Sequence, residues 1–138
     1  MDRIYRFLDF FFISLLHIFV YFGFNMTYIV LKDSSGSSRI GAWYFLPEKS
    51  SGKVEPLTDQ DTVILYLHGN SYNRSQGHRV GLYKLLIKLG FYVLAIDYRG
   101  FGDSSPVRLS ERTTVEDARA ALTWIADKLG DKVKVQDF

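Results

Sequence analysis

Two polar clusters break into otherwise apolar sequence: His68-Gly69-Asn70, and Asp97-Tyr98-Arg99-Gly100-Phe101-Gly102-Asp103-Ser104. Each follows directly on a run of aliphatic and aromatic residues, Val63 to Leu67 and Phe91 to Ile96. A histidine, a carboxylate and the nearby hydroxyls of Ser71, Ser75, Ser104 and Ser105 are the ingredients of nucleophilic catalysis. That chemistry needs a base within hydrogen-bond reach of the attacking oxygen, and the base must itself be oriented. Serines are abundant in loops, and none of these four sits in a Gly-x-Ser-x-Gly turn, which occurs nowhere in the 138 residues. Asp97 and Arg99 are better read as groups that tie down their own loop through hydrogen bonds or an ion pair.

Other chemistries fit less well. Gly100-Phe101-Gly102 begins like a dinucleotide-binding fingerprint, but Ser105 stands where its third glycine belongs and no helix follows at once. Three scattered histidines without a supporting pattern do not make a metal site, and the absence of cysteine excludes thiolate zinc and thiol catalysis. No cofactor is expected. A net charge of +2 with no run of Lys or Arg among aromatics excludes a nucleic-acid surface. Asn73-Arg74-Ser75 is a glycosylation sequon, relevant only on the lumenal side of a membrane.

The elements that must position these clusters follow from hydropathy. Val63 to Leu67 has strand length and no polar alternation, the pattern of a strand buried on both faces of a parallel sheet. Ligands collect at the carboxyl ends of such strands, and Gly69 lets the backbone come close to one. Leu82, Leu85, Leu86 and Leu89 recur at helical spacing and predict a helix packed on the sheet, with Arg79, Lys84 and Lys88 in water and Gly90 ending it. Phe91 to Ile96 is the next apolar strand, so strand, helix and strand form one βαβ unit. Thr113 and Glu116 suggest a capping box for a second helix with Val115, Ala118, Leu122, Ile125, Ala126 and Leu129 on its inner face. Lys132 to Gln136 alternates as an edge strand does. Upstream, Tyr28 to Lys32 and Ile40 to Leu46 flank a turn cluster and predict a β-hairpin, and Glu48 to Asp61 reads as a surface loop.

From Phe10 to Leu31 there is no Asp, Glu, Lys or Arg. That is close to the ~20 residues of a spanning helix, and Arg3 and Arg6 ahead of it favour a cytoplasmic amino terminus with a lumenal domain. Thr27 to Leu31 equally reads as the first strand, which leaves a hydrophobic segment from Phe7 to Phe24 that spans or lies along a bilayer, or packs on the domain. The expected division is a membrane-associated segment over residues 1–26 and a folded domain over 27–138.

Taken together, His68-Gly69-Asn70, Gly77-His78-Arg79 leading into Leu82-Tyr83-Lys84-Leu85-Leu86, and Asp97 to Ser104 resemble the amino-terminal half of an α/β-hydrolase. The branch they resemble is the membrane-anchored monoacylglycerol and lysophospholipid lipases. The resemblance implies an α/β class and an α/β-hydrolase fold, here a truncated, mostly parallel sheet with flanking helices and an N-terminal hydrophobic helix. It implies lipid esters as the substrate class, a membrane as partner, and residence in the endoplasmic reticulum with a lumenal domain. It implies that an oxyanion donor comes from the loop after the third strand, with the backbone N–H of Asn70 first and Ser71 second, and that His68, Gly69, Asp97, Arg99, Gly100 and Gly102 are structural loop residues. The nucleophile elbow, and the acid and histidine that follow it in chain order, are missing. Two readings stand: a truncated lipid-ester hydrolase predicted inactive alone, or a non-catalytic membrane-associated fragment that binds a lipid or partner. A shortened last strand is also expected to leave Val63 to Leu67 along an open apolar edge.

Overall fold

The computed structural model describes residues 24–33, 36–47, 58, 60–129 and 134–137. In chain order these form β1 (Phe24–Asp33), β2 (Gly36–Phe45), β3 (Thr62–Leu67), α1 (Gly77–Lys88), β4 (Tyr92–Ile96), α2 (Glu111–Leu129) and β5 (Lys134–Asp137). The sheet order is β1-β2-β4-β3-β5. The hairpin β1–β2 and the β2–β4 pair are antiparallel, whereas β3 runs parallel to both β4 and β5.

Alternation along β4 builds the layers, because successive side chains point to opposite faces. Val93 and Ala95 join Trp43, Phe45, Tyr83 and Ile87 under α1. Tyr92, Leu94 and Ile96 join Ile40, Ala42, Tyr44, Val63 and Leu65 with Ala121 and Ile125 of α2. One helix thus covers each face, which is why β4 is apolar at every position and buried throughout.

The structure corrects several expectations. β1 begins at Phe24, ahead of the expected boundary, so Phe24 to Leu31 of the uncharged run is sheet rather than membrane helix. No helix among the described residues is long and apolar enough to cross a membrane. The expected N-terminal hydrophobic helix over residues 1–23 lies outside the described residues.

Both helices are rotated from their expected faces. In α1 the buried residues are Arg79, Tyr83 and Ile87, while Leu82, Leu85 and Leu89 are exposed. Arg79 turns inward because its guanidinium serves two loop carbonyls, and Tyr83 because its hydroxyl donates to the Arg74 carbonyl at 3.2 Å. In α2 the buried residues include Asp117, Ala121 and Ile125, and Val115 and Leu122 face out. Asp117 is drawn in by Arg99, to which it is bonded. The α2 cap is also displaced. Ser110 Oγ accepts from the Thr113 N–H at 3.1 Å and Thr113 Oγ1 accepts from the Ser110 N–H at 3.0 Å, so Ser110 caps the helix and Thr113 returns the bond.

The expected open edge of β3 is mostly closed. β5 pairs with Thr62 to Leu65, and Val63, Ile64 and Leu65 are buried; only Tyr66 and Leu67 extend past the last register pair.

Candidate active site

The carboxyl ends of β3 and β4 lead into the two loops that carry the polar clusters, so parallel pairing sets them side by side. Arg74 joins them. Its backbone N–H donates to Asp97 Oδ1 at 2.6 Å and its Nη1 to Asp97 Oδ2 at 2.6 Å. The same guanidinium reaches Asp103 through Nη1 at 2.6 Å and Nη2 at 3.0 Å, and lies over the Trp43 ring at 5.0 Å. Burial works against its charge, but Asp103 and Asp97 outweigh that and hold the guanidinium more firmly protonated than usual. Burial pushes the Asp97 carboxyl up, opposed by the Arg74 charge and N–H. Asp97 and Arg99, expected to tie down their own loop through hydrogen bonds or an ion pair, do so through partners on other segments: Asp97 pairs with Arg74 and Arg99 with Asp117.

Glycine is required where this network is tightest. Gly102 takes φ 51°, and a Cβ there would collide with Asp97 Oδ2. Gly100, also at positive φ, closes the turn by donating its N–H to the Ser105 carbonyl at 2.9 Å. Ser104 accepts from the Gly41 N–H at 2.8 Å and donates to the Asp97 carbonyl at 2.6 Å, while Ser105 Oγ accepts from the Arg39 N–H at 2.9 Å. These hydroxyls brace the loop against β2.

Arg99 does for α2 what Arg74 does for the first loop. Its N–H and Nε both bond Asp117, at 2.8 and 2.6 Å, and its Nη2 reaches Glu116 at 3.0 Å. The start of α2 is thereby held against the end of β4.

His68 lies at the bottom of the arrangement with its side chain fully buried. Its Nδ1 is 2.7 Å from the Gly69 carbonyl, an acceptor only, so Nδ1 carries the proton. The ring stands edge-on to Tyr98 and Phe101, each centroid 4.9 Å away. Nε2 lies 3.4 Å from Asp97 Oδ1 and makes no hydrogen bond. Burial pushes the imidazole down, so the ring is neutral at neutral pH. No serine among the described residues bonds to it, so His68, Asp97 and the loop serines do not assemble into a triad.

Above His68 the loop turns sharply, with Tyr72 at φ 62°, a region side chains seldom adopt outside Asn and Asp. Arg79 holds the turn by donating to the Ser71 carbonyl at 2.7 Å and the Asn73 carbonyl at 2.8 Å. The two expected donors differ in availability. The Ser71 N–H is spent on the Gly69 carbonyl at 2.9 Å, whereas no hydrogen bond engages the Asn70 N–H among the described residues. Gly69 is open to solvent, and a cleft of about 320 Å³ lies between the loops, lined by His68, Gly69, Asn70, Tyr98, Phe101 and Ser110 among others.

Sequence reasoning missed Arg74 and Arg79. A buried carboxylate at the end of β4 demands a cation, and an arginine between Asn73 and Ser75 was the available signal. No grouping of His, Asp and Glu among the described residues would hold a metal.

The sheet order, the flanking helices and the two loops at the carboxyl ends of β3 and β4 are those of an α/β-hydrolase fold. The esterase Pf2001 of Pyrococcus furiosus superposes on 88% of this chain and 42% of its own with TM-score 0.61 at 18% identity. No protein-family model matches the chain. Its curated relatives are more specific. It is 37% identical over 118 residues to lysophosphatidylserine lipase ABHD12 of Mus musculus, covering 79% of this chain, and 37% identical over 100 residues to human protein ABHD12B, covering 66%. The chain is thus homologous to the ABHD12 proteins, and it spans 29% of the mouse relative and 27% of the human one.

Proposed function

We propose that this chain forms the oxyanion side of a serine hydrolase acting on lipid esters of the lysophosphatidylserine or monoacylglycerol kind. Attack on an ester carbonyl places negative charge on its oxygen, and preorganised N–H groups stabilise it in a site that excludes water. The Asn70 N–H, unspent at the mouth of the cleft, supplies one donor; that free donor beside a rigid, charge-clamped loop carries the reading. The second donor belongs to the residue after the nucleophile, on a Gly-x-Ser-x-Gly turn that these 138 residues do not contain. By themselves they do not turn over an ester.

A second reading draws on the same missing turn: a non-catalytic chain that binds a lipid or a partner at this cleft. Fluorophosphonate labelling separates the two. The 138-residue chain stays unlabelled in both; the same sequence continued through a Gly-x-Ser-x-Gly turn and the acid and histidine that follow it is labelled only in the first. Labelling of the 138 residues, abolished by changing one of their own serines, overturns both.

The residues ahead of β1, 1–23, attach the domain to a membrane in this proposal, in the endoplasmic reticulum with the cleft on the lumenal side. The run from Phe10 to Gly23 without a charged residue, and Arg3 and Arg6 ahead of it, support this. Release of the chain from membranes by alkaline extraction would overturn it.

A further inference from the structure

We propose that Asn73 is a glycosylation acceptor and carries an N-linked oligosaccharide on the loop after β3. The inference rests on the lumenal placement proposed above, the side on which the donor, an oligosaccharide linked to a lipid diphosphate, is met. Two Asn-x-Ser/Thr triplets occur in the chain, Asn25-Met26-Thr27 and Asn73-Arg74-Ser75. The first lies inside β1, where Asn25 pairs with Tyr44, and it follows closely on the uncharged residues 10–23, so this placement sets it against the bilayer. The second lies in a loop whose neighbours Ser71, Tyr72, Gly77 and His78 are all exposed.

The Asn73 side chain is oriented for the modification. Its Oδ1 accepts from the Ser75 N–H at 3.0 Å and from Ser75 Oγ at 2.6 Å. A backbone N–H only donates, so the amide oxygen faces Ser75 and Nδ2 is turned away from it. Among the described residues Nδ2 makes no hydrogen bond, and it is open to water. Transfer forms a bond from Nδ2 to the anomeric carbon of the first sugar and breaks the bond from that carbon to the lipid diphosphate. The diphosphate leaves as an anion and Nδ2 gives up one proton. The product keeps Oδ1, so both bonds to Ser75 survive and the loop closes unchanged.

The surrounding fold holds the stem and leaves the sugar an exit. Arg79 donates to the Asn73 carbonyl at 2.8 Å, and the next N–H, that of Arg74, is bound to Asp97. Arg74 is buried, so transfer precedes folding. Its guanidinium reaches Asp97, Asp103 and the Trp43 ring, which lays the loop over the ends of β4 and β2, on the side of β3 away from β5. Asn73 does not line the cleft, so the oligosaccharide leaves the Asn70 N–H accessible.

The full chain is translated with endoplasmic reticulum microsomes and its gel mobility compared before and after peptide N-glycosidase. A second form carries an Asn-Gly-Thr triplet on a flexible Gly/Ser tail after Phe138, which reports the side of the membrane. The chain without the tail should show one glycan shift, lost in Asn73→Gln and Ser75→Ala and kept in Asn25→Gln and Ser75→Thr. Attachment precedes folding, so a variant that folds poorly still reports. A glycan on the tail with none at Asn73 overturns the proposal and leaves the lumenal placement standing; a glycan on neither overturns both. A shift that Asn25→Gln abolishes also overturns the proposal.

Discussion

Arg74 meets Asp97 twice, through its backbone N–H and through Nη1, each at 2.6 Å. One residue thus fixes both the course and the side chain of the loop after β3 against the end of β4. Removing the guanidinium leaves buried Asp97 without its cation and Asp103 without its bidentate partner. Arg74→Met should cost about 3–5 kcal/mol, the range for breaking a buried pair, and Arg74→Lys less. The shift of the urea midpoint at unchanged m-value measures it.

His68 makes stability depend on pH. Burial sets its folded pKa below the unfolded value, so its contribution is complete above about pH 6.5 and is lost as pH falls through the folded pKa. Thermal midpoints between pH 7.5 and 5.5 should fall more steeply for the parent chain than for His68→Phe, because the variant has no proton to take up at this position. Parallel slopes would refute the assignment.

Gly102 should not tolerate a methyl group. Gly102→Ala meets both a positive φ, costing about 1–2 kcal/mol, and a collision with Asp97 Oδ2. Gly69→Ala, where nothing lies within 4 Å of the added carbon, should change the denaturation midpoint far less.

Ser110→Ala removes the acceptor at the head of α2. A loss of about 1 kcal/mol is expected, read from the same denaturation curves.

In a polypeptide that includes a Gly-x-Ser-x-Gly turn and the acid and histidine that follow it, Asn70→Ala keeps the backbone donor and Asn70→Pro removes it. The first should leave kcat near the parent value and the second should lower it by about 10²–10³, with KM little changed. Equal losses in both would mean that the Asn70 side chain, not its N–H, does the work.

The strands were readable in the sequence because β3 and β4 are buried on both faces and apolar without interruption. The hairpin was readable because turn residues punctuate it. The helix faces were not. Arg79, Tyr83 and Asp117 point inward for the sake of the Ser71, Asn73 and Arg74 carbonyls and of Arg99, partners that helical periodicity does not encode. Asp97 and Arg99 stood out at once as loop-tying groups, yet each proved to bind across to another segment. Arg74 was passed over because its triplet read as a sequon and a polar loop gives no sign of burial. The Ser110 cap hid for a related reason: Thr113 returns the bond usually made by Glu or Gln.

The two ends of the sheet differ in the length of chain they must close. β1 and β2 meet in register across a tight connection, a local contact of the kind that forms in microseconds. β5 reaches β3 only after the whole α1–β4–α2 stretch has been laid down, the costliest pairing in the molecule to close. During synthesis the hairpin can mature early while the flank of β3 waits unpaired. That interval is when a chaperone, or a misplaced strand from another nascent chain, has its opening.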